Sequence, residues 1–315
     1  MIPRLRLRRF AAARGGEIRG FGRPGGAHPL QHALPLFVLA GFCLSSLDAT
    51  AKYLVRDHSL LVVVWARYAG QMIVVTPFAW HRAGRHFWHT RKPALQLLRS
   101  LFLLLATLGF WGGLRYLPLA EASSVTFLAP TFVVLLSWPL LHERATRARQ
   151  IASTVGFIGI LILLRPGSAV MHPAVLLLIG AALSNALYQL LTRKLLDESA
   201  HATLFYSATV GTLVLTLGLP FATDLDRLVA VGIGPLVLLG ILAGIGHWCM
   251  THAYLSAPAS LLTPFTYLQI LWATAFGYLM FDQHPDGLSG LGMSIVVASG
   301  VCLAWWERRG ALARR

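Results

Sequence analysis

Several charged side chains lie inside long apolar stretches, where a charge is costly and marks a candidate functional site. Asp48 and Lys52 lie in the stretch 34–55, and Arg67 lies in the stretch 59–80. In a helix that rises 1.5 Å per residue, Asp48 lies about 10 Å before the end of its stretch and Arg67 about 12 Å after the start of the next. Two opposite charges at similar depth can bind a ligand or couple to a proton. They can also only pair with each other and join two helices.

Two basic side chains lie close enough to the end of an apolar stretch to reach water. Lys52 follows Asp48 by four residues and shares its helix face. Arg99 lies about 6 Å after the start of the stretch 95–114. We expect the charged ends of both side chains to extend to the membrane surface while their stems stay in the apolar region.

Neutral polar groups occur midway along a later apolar stretch, 174–192. Asn185, Tyr188 and Gln189 offer hydrogen bonds where the first stretch offers charge. We therefore expect a binding cavity with acidic and basic groups on one half and amides on the other.

Aromatic residues supply further candidates. Trp111, Trp248 and Tyr267 lie in apolar stretches, and an indole or phenol ring there can stack on a planar or cationic ligand. An aromatic belt at the membrane surface explains such residues equally well without a binding role.

Two prolines, Pro130 and Pro264, interrupt apolar stretches. Because proline lacks a backbone N–H, each frees a carbonyl group and is expected to kink its helix. The three cysteines and the histidines show no metal-ligand spacing. We predict no metal and no cofactor.

The composition indicates which class of protein carries these side chains. Of the 315 residues, 56% are apolar and only 12% are charged, whereas a soluble domain has about 25% charged residues. Such a chain cannot cover the surface of a soluble domain, and it is too apolar to be disordered. It is predicted to be an all-α integral membrane protein.

Ten apolar stretches are long enough to cross the membrane as helices, which takes about 20 residues each. They do not alternate polar and apolar residues as β-barrel strands do. The ten stretches are 34–55, 59–80, 95–114, 118–141, 149–165, 174–192, 202–221, 231–252, 258–281 and 288–306.

Lysine and arginine are distributed unevenly between the loops. The termini and the loops on their side hold 20 of these residues, and the opposite loops hold 4. Positive loops stay cytoplasmic, so both termini are predicted to be cytoplasmic. The net charge of +15 lies in short loops and not on one polar face, so no nucleic-acid partner is predicted.

Residues 1–32 contain seven arginines and are broken by glycines, with no apolar run typical of a signal peptide. We expect them to form a disordered basic cytoplasmic tail, and we expect residues 308–315 to form a second basic tail. Two five-helix units are predicted between them, at 33–166 and 167–307.

The two halves of the chain repeat each other at an offset of 137 to 139 residues. Asp48 corresponds to Asn185, and Lys52 corresponds to Gln189. Further matches are Trp111 with Trp248, Phe127 with Phe265 and Glu143 with Asp282. Because each half contains an odd number of spans, the second half is expected to be inverted in the membrane, as in many secondary transporters.

Three stretches carry a resemblance to a known family. LPLAEASSVTFLAPTFVVLLSWPLLHE (117–143) and APASLLTPFTYLQILWATAFGYLMFDQHP (257–285) resemble the EamA family of the drug/metabolite transporter superfamily. LDATAKYL (47–54) resembles its branch of S-adenosylmethionine carriers and riboflavin importers. The resemblance covers residues 34–306 and implies a carrier in a bacterial inner membrane without an ATPase domain. Asp282 departs from the family pattern, which has Glu there, but keeps the charge.

We therefore predict a secondary transporter that moves a small polar metabolite by alternating access between two inverted repeats. A lipid or glycolipid flippase on the same fold is an alternative, and a membrane-embedded enzyme is a weaker one because no catalytic constellation emerges. Expected partners are the metabolite and membrane lipids. The sequence does not decide whether the protein forms a homodimer. The sequence specifies neither the substrate nor the direction of transport.

Overall fold

The computed structural model describes residues 29–142, 145–165, 172–195, 197–221, 233–257, 262 and 265–312. Residues 1–28 of the predicted N-terminal tail and the predicted kink residue Pro264 lie outside these ranges. Within them, every regular element is a helix.

The helices follow the predicted stretches closely, and we number them in chain order. They are α1 (Pro29–Asp57), α2 (Leu60–Ala83), α3 (Pro93–Leu114), α4a (Leu119–Thr126), α4b (Ala129–Leu141), α5 (Arg147–Leu164), α6 (Val175–Arg193), α7 (Ala200–Gly218), α8 (Ile233–Ser256), α9 (Leu268–Phe281) and α10 (Gly287–Leu312). Short 3₁₀ turns follow α2 and α7, at Gly84–His86 and Leu219–Phe221.

Among the described residues, nine helical spans are long and apolar enough to cross a membrane when α4a and α4b are taken together, and α9 is a shorter apolar helix. The prediction of ten membrane helices is confirmed. The predicted N-terminal tail ends too late and the predicted C-terminal tail begins too early, because α1 already starts at Pro29 and α10 continues to Leu312. Hydropathy marks the apolar part of a helix, and the backbone stays helical beyond it.

The fourth span is interrupted near its middle. Phe127 and Leu128 donate their backbone N–H groups to carbonyls three residues earlier, at Ser124 and Val125. Pro130 is in the first turn of α4b, where its missing N–H removes no helical hydrogen bond. The predicted kink inside one helix is therefore wrong for Pro130, which begins a second helix after a break.

The largest helix contacts join different halves of the chain. Among the described residues these are α1 with α8, α5 with α10, α3 with α6, α2 with α8 and α2 with α7. The α1–α8 interface corresponds to the α6–α3 interface when the halves are exchanged. Glycines allow the closest approach, since a Cβ on Gly70 of α2 would lie 2.5 Å from the Cα of Gly240 of α8. The halves are thus interleaved, and the core lies between them.

Candidate functional site

A cavity of about 210 Å³ lies where the two halves meet. Seven membrane spans contribute to its wall, and both halves take part. Leu44, Leu103, Phe110 and Ala273 belong to its apolar lining. Its charged, imidazole and amide side chains are Asp48, Arg67, Asn185, His247 and Gln269.

Asp48 faces this cavity from α1 and is held by an aromatic residue of α3. The indole Nε1 of Trp111 donates a hydrogen bond to Asp48 Oδ1 at 3.0 Å. Trp111 itself is only 1% exposed, and it also lines the cavity. The predicted candidates Asp48 and Trp111 thus form one unit in the cavity wall.

Arg67 faces the same cavity from α2. Its guanidinium group donates to Thr107 Oγ1 at 3.5 Å and contacts His247 Nε2 at 3.3 Å. Both Asp48 and Arg67 are described, and they form no salt bridge with each other. The alternative in which these two charges only pair with each other is therefore not what the structure shows, since both lie at the same cavity without a direct contact.

His247 of α8 is a cavity residue that the sequence did not single out for binding. Arginine has only hydrogen-bond donors, so His247 Nε2 must accept from Arg67 and carry no proton. This contact places a neutral imidazole beside the guanidinium group. Its position in the eighth apolar stretch was visible in the sequence, but its neighbour on α2 was not.

The three polar candidates of α6 point in different directions. Asn185 lines the cavity, as predicted for the residue that the repeat relates to Asp48. Tyr188 lies outside it, and its hydroxyl oxygen accepts a hydrogen bond from Arg99 at 2.8 Å. Gln189 is exposed on the outer surface of the helix bundle. The structure does not bring Tyr188 and Gln189 to the cavity.

Lys52 does not extend to the membrane surface. It is 2% exposed, and its ammonium group donates to the carbonyl oxygens of Leu114 and Leu117 at 2.7 and 2.5 Å. These carbonyls lie at the end of α3 and in the turn before α4a, where the helix leaves them free. The expectation for Lys52 is wrong because the backbone of a neighbouring helix offers a closer partner than water.

Arg99 is also buried, at 3% exposure. Its guanidinium group donates to Thr192 Oγ1 at 2.6 Å and to Ser207 Oγ at 2.7 Å. It also lies over the Tyr188 ring, with 4.3 Å between Arg99 Cζ and the ring centroid. The expected extension to the surface is wrong here too, since Arg99 joins α3 to α6 and α7.

The remaining aromatic candidates lie away from the central cavity. Trp248 is 38% exposed, and its ring lies 4.2 Å from that of His252. Tyr267 stacks on Phe127 with 4.9 Å between ring centroids. Phe127 lines the central cavity, and both rings line a second cavity of about 30 Å³ among α4b, α5 and α10. Phe127 is thus a wall residue of both cavities, and Tyr267 lines the second.

Polar contacts close the end of the bundle near the α3–α4a turn. Gln283 Oε1 accepts the backbone N–H of Leu119 at 3.0 Å, and Glu121 Oε1 accepts the hydroxyl of Ser289 at 3.0 Å. At the same end, Arg165 forms a salt bridge with Asp286. Hydrogen bonds from Arg165 and Ser289 hold the pKa of Asp286 well below its ordinary value.

The opposite end is tied by ion pairs between loops and helix ends. Lys92 contacts Asp197 at 2.9 Å, and Arg149 contacts Glu307 at 2.7 Å. The Lys92 contact links the α2–α3 loop to the α6–α7 loop, and the Arg149 contact links α5 to α10. Within the part of the chain that the structure describes, no cluster of three or more His, Cys, Asp or Glu side chains suits a metal ion.

Family comparison agrees with this arrangement of two five-helix halves. The model of the EamA-like transporter family matches residues 32–165 and again residues 172–305. The chain belongs to the EamA family. The predicted family, the two inverted five-helix repeats and the prediction of a transporter instead of an enzyme are confirmed.

Several curated relatives of this EamA protein match it over most of their length. An S-adenosylmethionine uptake transporter of Rickettsia prowazekii is 29% identical over 87% of this chain and 92% of the relative. A riboflavin transporter of Vibrio cholerae is 28% identical over 91% of this chain and 97% of the relative. The protein is thus a membrane transporter whose named relatives carry small metabolites.

A solved crystal structure shows the same fold. It is 20% identical in sequence and superposes with a TM-score of 0.63, covering 87% of this chain and 98% of that chain. At this identity the match shows only that the helices are arranged in the same way.

Proposed function

We propose that this EamA protein is a secondary transporter that moves a small polar metabolite through the central cavity. One observation supports this most directly: the cavity is lined by both repeats and carries Asp48 and Arg67 on its wall. Substrate sites of inverted-repeat transporters lie near the middle of the membrane between the repeats. A buried charge in such a place is costly unless a ligand or a partner compensates for it.

Alternating access fits the contacts at the two ends of the bundle. Lys52, Gln283 and Glu121 form hydrogen bonds at the end near the α3–α4a turn, and Lys92 and Arg149 form ion pairs at the opposite end. The cavity of about 210 Å³ is smaller than the roughly 300–1,000 Å³ typical of sites for drug-sized ligands. We infer that transport opens the contacts at one end while those at the other end stay in place.

The proposed location is the bacterial inner membrane, with both termini in the cytoplasm. The uneven distribution of 20 against 4 lysine and arginine residues supports this orientation. It places the α3–α4a turn at the periplasmic end and the Lys92–Asp197 contact at the cytoplasmic end.

The test is uptake by proteoliposomes that contain the purified full-length chain. Radiolabelled S-adenosylmethionine and riboflavin are the first probes, followed by pooled small metabolites, and empty liposomes are the background. We expect saturable uptake of at least one solute, reduced at least tenfold by Asp48→Asn. Movement of a fluorescent lipid between leaflets without uptake of any solute would favour the flippase alternative and contradict this proposal.

A further inference from the structure

The end of α2 and the loop that follows it combine exposed cations with exposed tryptophans. Trp80 and Trp88 are 54% and 48% exposed, and Arg82 and Arg85 are exposed between them. Tryptophan in membrane proteins is enriched at the level of the lipid headgroups. We therefore expect headgroups to surround this corner of the protein, which is cytoplasmic in the proposed orientation.

Neither Arg82 nor Arg85 forms a salt bridge with an acid in the part of the chain that the structure describes. Asp197 of the neighbouring α6–α7 loop pairs with Lys92 instead. The Cζ atom of Arg82 lies 5.6 Å from the centroid of the Phe78 ring, a contact that leaves its N–H donors available. A guanidinium group carries five such donors, so both arginines can still bind an anion from outside the chain.

Phe78 is the centre of a ring cluster that joins three helices. Its centroid lies 6.3 Å from that of His201 on α7, and 6.2 and 6.3 Å from those of Trp248 and His252 on α8. The helices α7 and α8 belong to the second half of the chain, whereas α2 belongs to the first. Arg82 therefore lies over a surface to which both halves contribute.

An exposed apolar strip of α8 leads away from this ring cluster. Its four side chains follow one another at intervals of four, four and three residues and so share one helix face. They are Val237, Ile241, Ile245 and Trp248, all exposed. At 1.5 Å per residue the strip is about 16 Å long, which is half of the roughly 30 Å hydrocarbon core. An acyl chain of one leaflet has this length.

From this arrangement we propose that the surface binds an anionic phospholipid, with the phosphate on Arg82 and Arg85 and one acyl chain along the strip of α8. Guanidinium groups match phosphate with two parallel hydrogen bonds, and basic pockets between membrane helices bind anionic headgroups. A zwitterionic lipid offers the same phosphate, but its amine cancels the charge. Because the surface spans α2, α7 and α8, the bound lipid bridges the two halves of the chain.

The test compares two lipids that share their acyl chains and differ in headgroup charge. The purified full-length chain is titrated with dioleoyl phosphatidylglycerol or dioleoyl phosphatidylcholine, and native mass spectrometry measures the Kd of the first bound lipid. We expect phosphatidylglycerol to bind at least about tenfold more tightly. In the double variant Arg82→Gln with Arg85→Gln this preference should disappear, while the affinity for phosphatidylcholine is kept.

Arg147→Gln is the matched control for the single variant Arg82→Gln. Arg147 is also exposed and lies at the same end of the bundle, at the start of α5, which packs on α10 and α4b. Arg82→Gln should weaken phosphatidylglycerol binding at least about fivefold, and Arg147→Gln should leave it unchanged. Equal losses in both would indicate diffuse attraction to the basic loops and overturn the inference. Equal binding of the two lipids by the wild type would overturn it without any variant, as would equally tight binding of glycerol 3-phosphate, which lacks acyl chains.

Discussion

At the scale of single residues, the cavity depends on the position of Trp111. Its N–H group donates a hydrogen bond to the Asp48 carboxylate, and Arg67 Cζ lies 5.7 Å from the centroid of its ring. The repeat-related Trp248 has the same residue type and is 38% exposed outside the cavity. The two tryptophans occupy equivalent positions in the repeats but differ in environment. Variants at these two positions therefore form a matched pair.

We expect Trp111→Phe to weaken transport without unfolding the protein. Phenylalanine keeps most of the ring volume and removes the hydrogen bond to Asp48, and a bond to a charged group contributes about 1.5–3 kcal/mol. The apparent KM for the transported solute should rise at least about tenfold in proteoliposomes. Trp248→Phe should leave the KM unchanged, and equal effects of both variants would contradict this role of Trp111.

The predictability of the site varies from residue to residue. Asp48, Arg67 and Asn185 could be recognised as candidate site residues because a charged or amide side chain inside an apolar stretch is costly. The burial of Lys52 and Arg99 could not be predicted, because an estimate from the distance to the membrane surface takes no account of hydrogen-bond partners on neighbouring helices. The carbonyls that receive Lys52 are free only because α3 ends at Leu114, and no pattern in α1 indicates this.

At the scale of helices, Lys52 connects α1 to the turn between α3 and α4a. Its two hydrogen bonds to Leu114 and Leu117 join elements that must separate if the cavity opens at this end. The position of Pro130 has a related effect, because the break before it divides the fourth span next to the cavity. The sequence predicted a disturbance there, but not that two separate helices form.

We expect Lys52→Met to open this end of the cavity. A cysteine at Ser123, which lines the cavity, should then react at least about tenfold faster with a membrane-impermeant maleimide added from the periplasmic side. Native cysteines are replaced by serine in this experiment. Lys92→Met, which removes another lysine-to-carbonyl bond at the opposite end, should not change the rate. An unchanged rate in Lys52→Met would show that this contact does not hold the closure.

The Arg165–Asp286 pair joins α5 to α10 and predicts a dependence of stability on pH. Because its partners lower the pKa of Asp286 in the folded protein, the pair stabilises the fold fully above the ordinary Asp pKa. Its contribution is lost as the pH falls toward the lowered value. The melting temperature of Asp286→Asn should lie below that of the wild type at pH 7, and the difference should narrow below about pH 4. A difference that grows on acidification would contradict the assignment.

At the scale of the whole molecule, the repeats are units of sequence and not of packing. Among the described residues, the principal partner of α1 is α8 and that of α3 is α6, each in the other repeat. Opening therefore has to rearrange helices across both repeats. Rigid rocking of one complete repeat against the other is difficult to combine with interfaces of this kind.

A half-chain is expected to be unstable alone. Residues 1–166 expressed without the rest lack the helices that cover α1 and α3, so the fragment should be degraded within minutes to hours in cells. Co-expression with residues 167–315 should restore both fragments and their co-purification. Pulse-chase labelling measures this, and a long-lived, protease-resistant single half would contradict the interleaved packing.

The proposed orientation is tested by cysteines at two helix ends. His142 follows α4b and His284 follows α9, the corresponding helices of the two repeats. In a background without native cysteines, His142→Cys should be labelled only from the cytoplasm and His284→Cys only from the periplasm. Labelling of both from one side would contradict the proposed orientation.

The distribution of polar partners also sets an order in time as the chain is synthesised. Asp48 and Lys52 find their partners at Trp111, Leu114 and Leu117, within the same repeat. Arg99 finds its own only at Tyr188, Thr192 and Ser207. At 5–20 residues per second, it waits roughly 5 to 20 s for the ribosome to reach Ser207. We expect Arg99 to keep its charge in the headgroup region during that interval, so that a side chain that ends buried is first placed at the membrane surface.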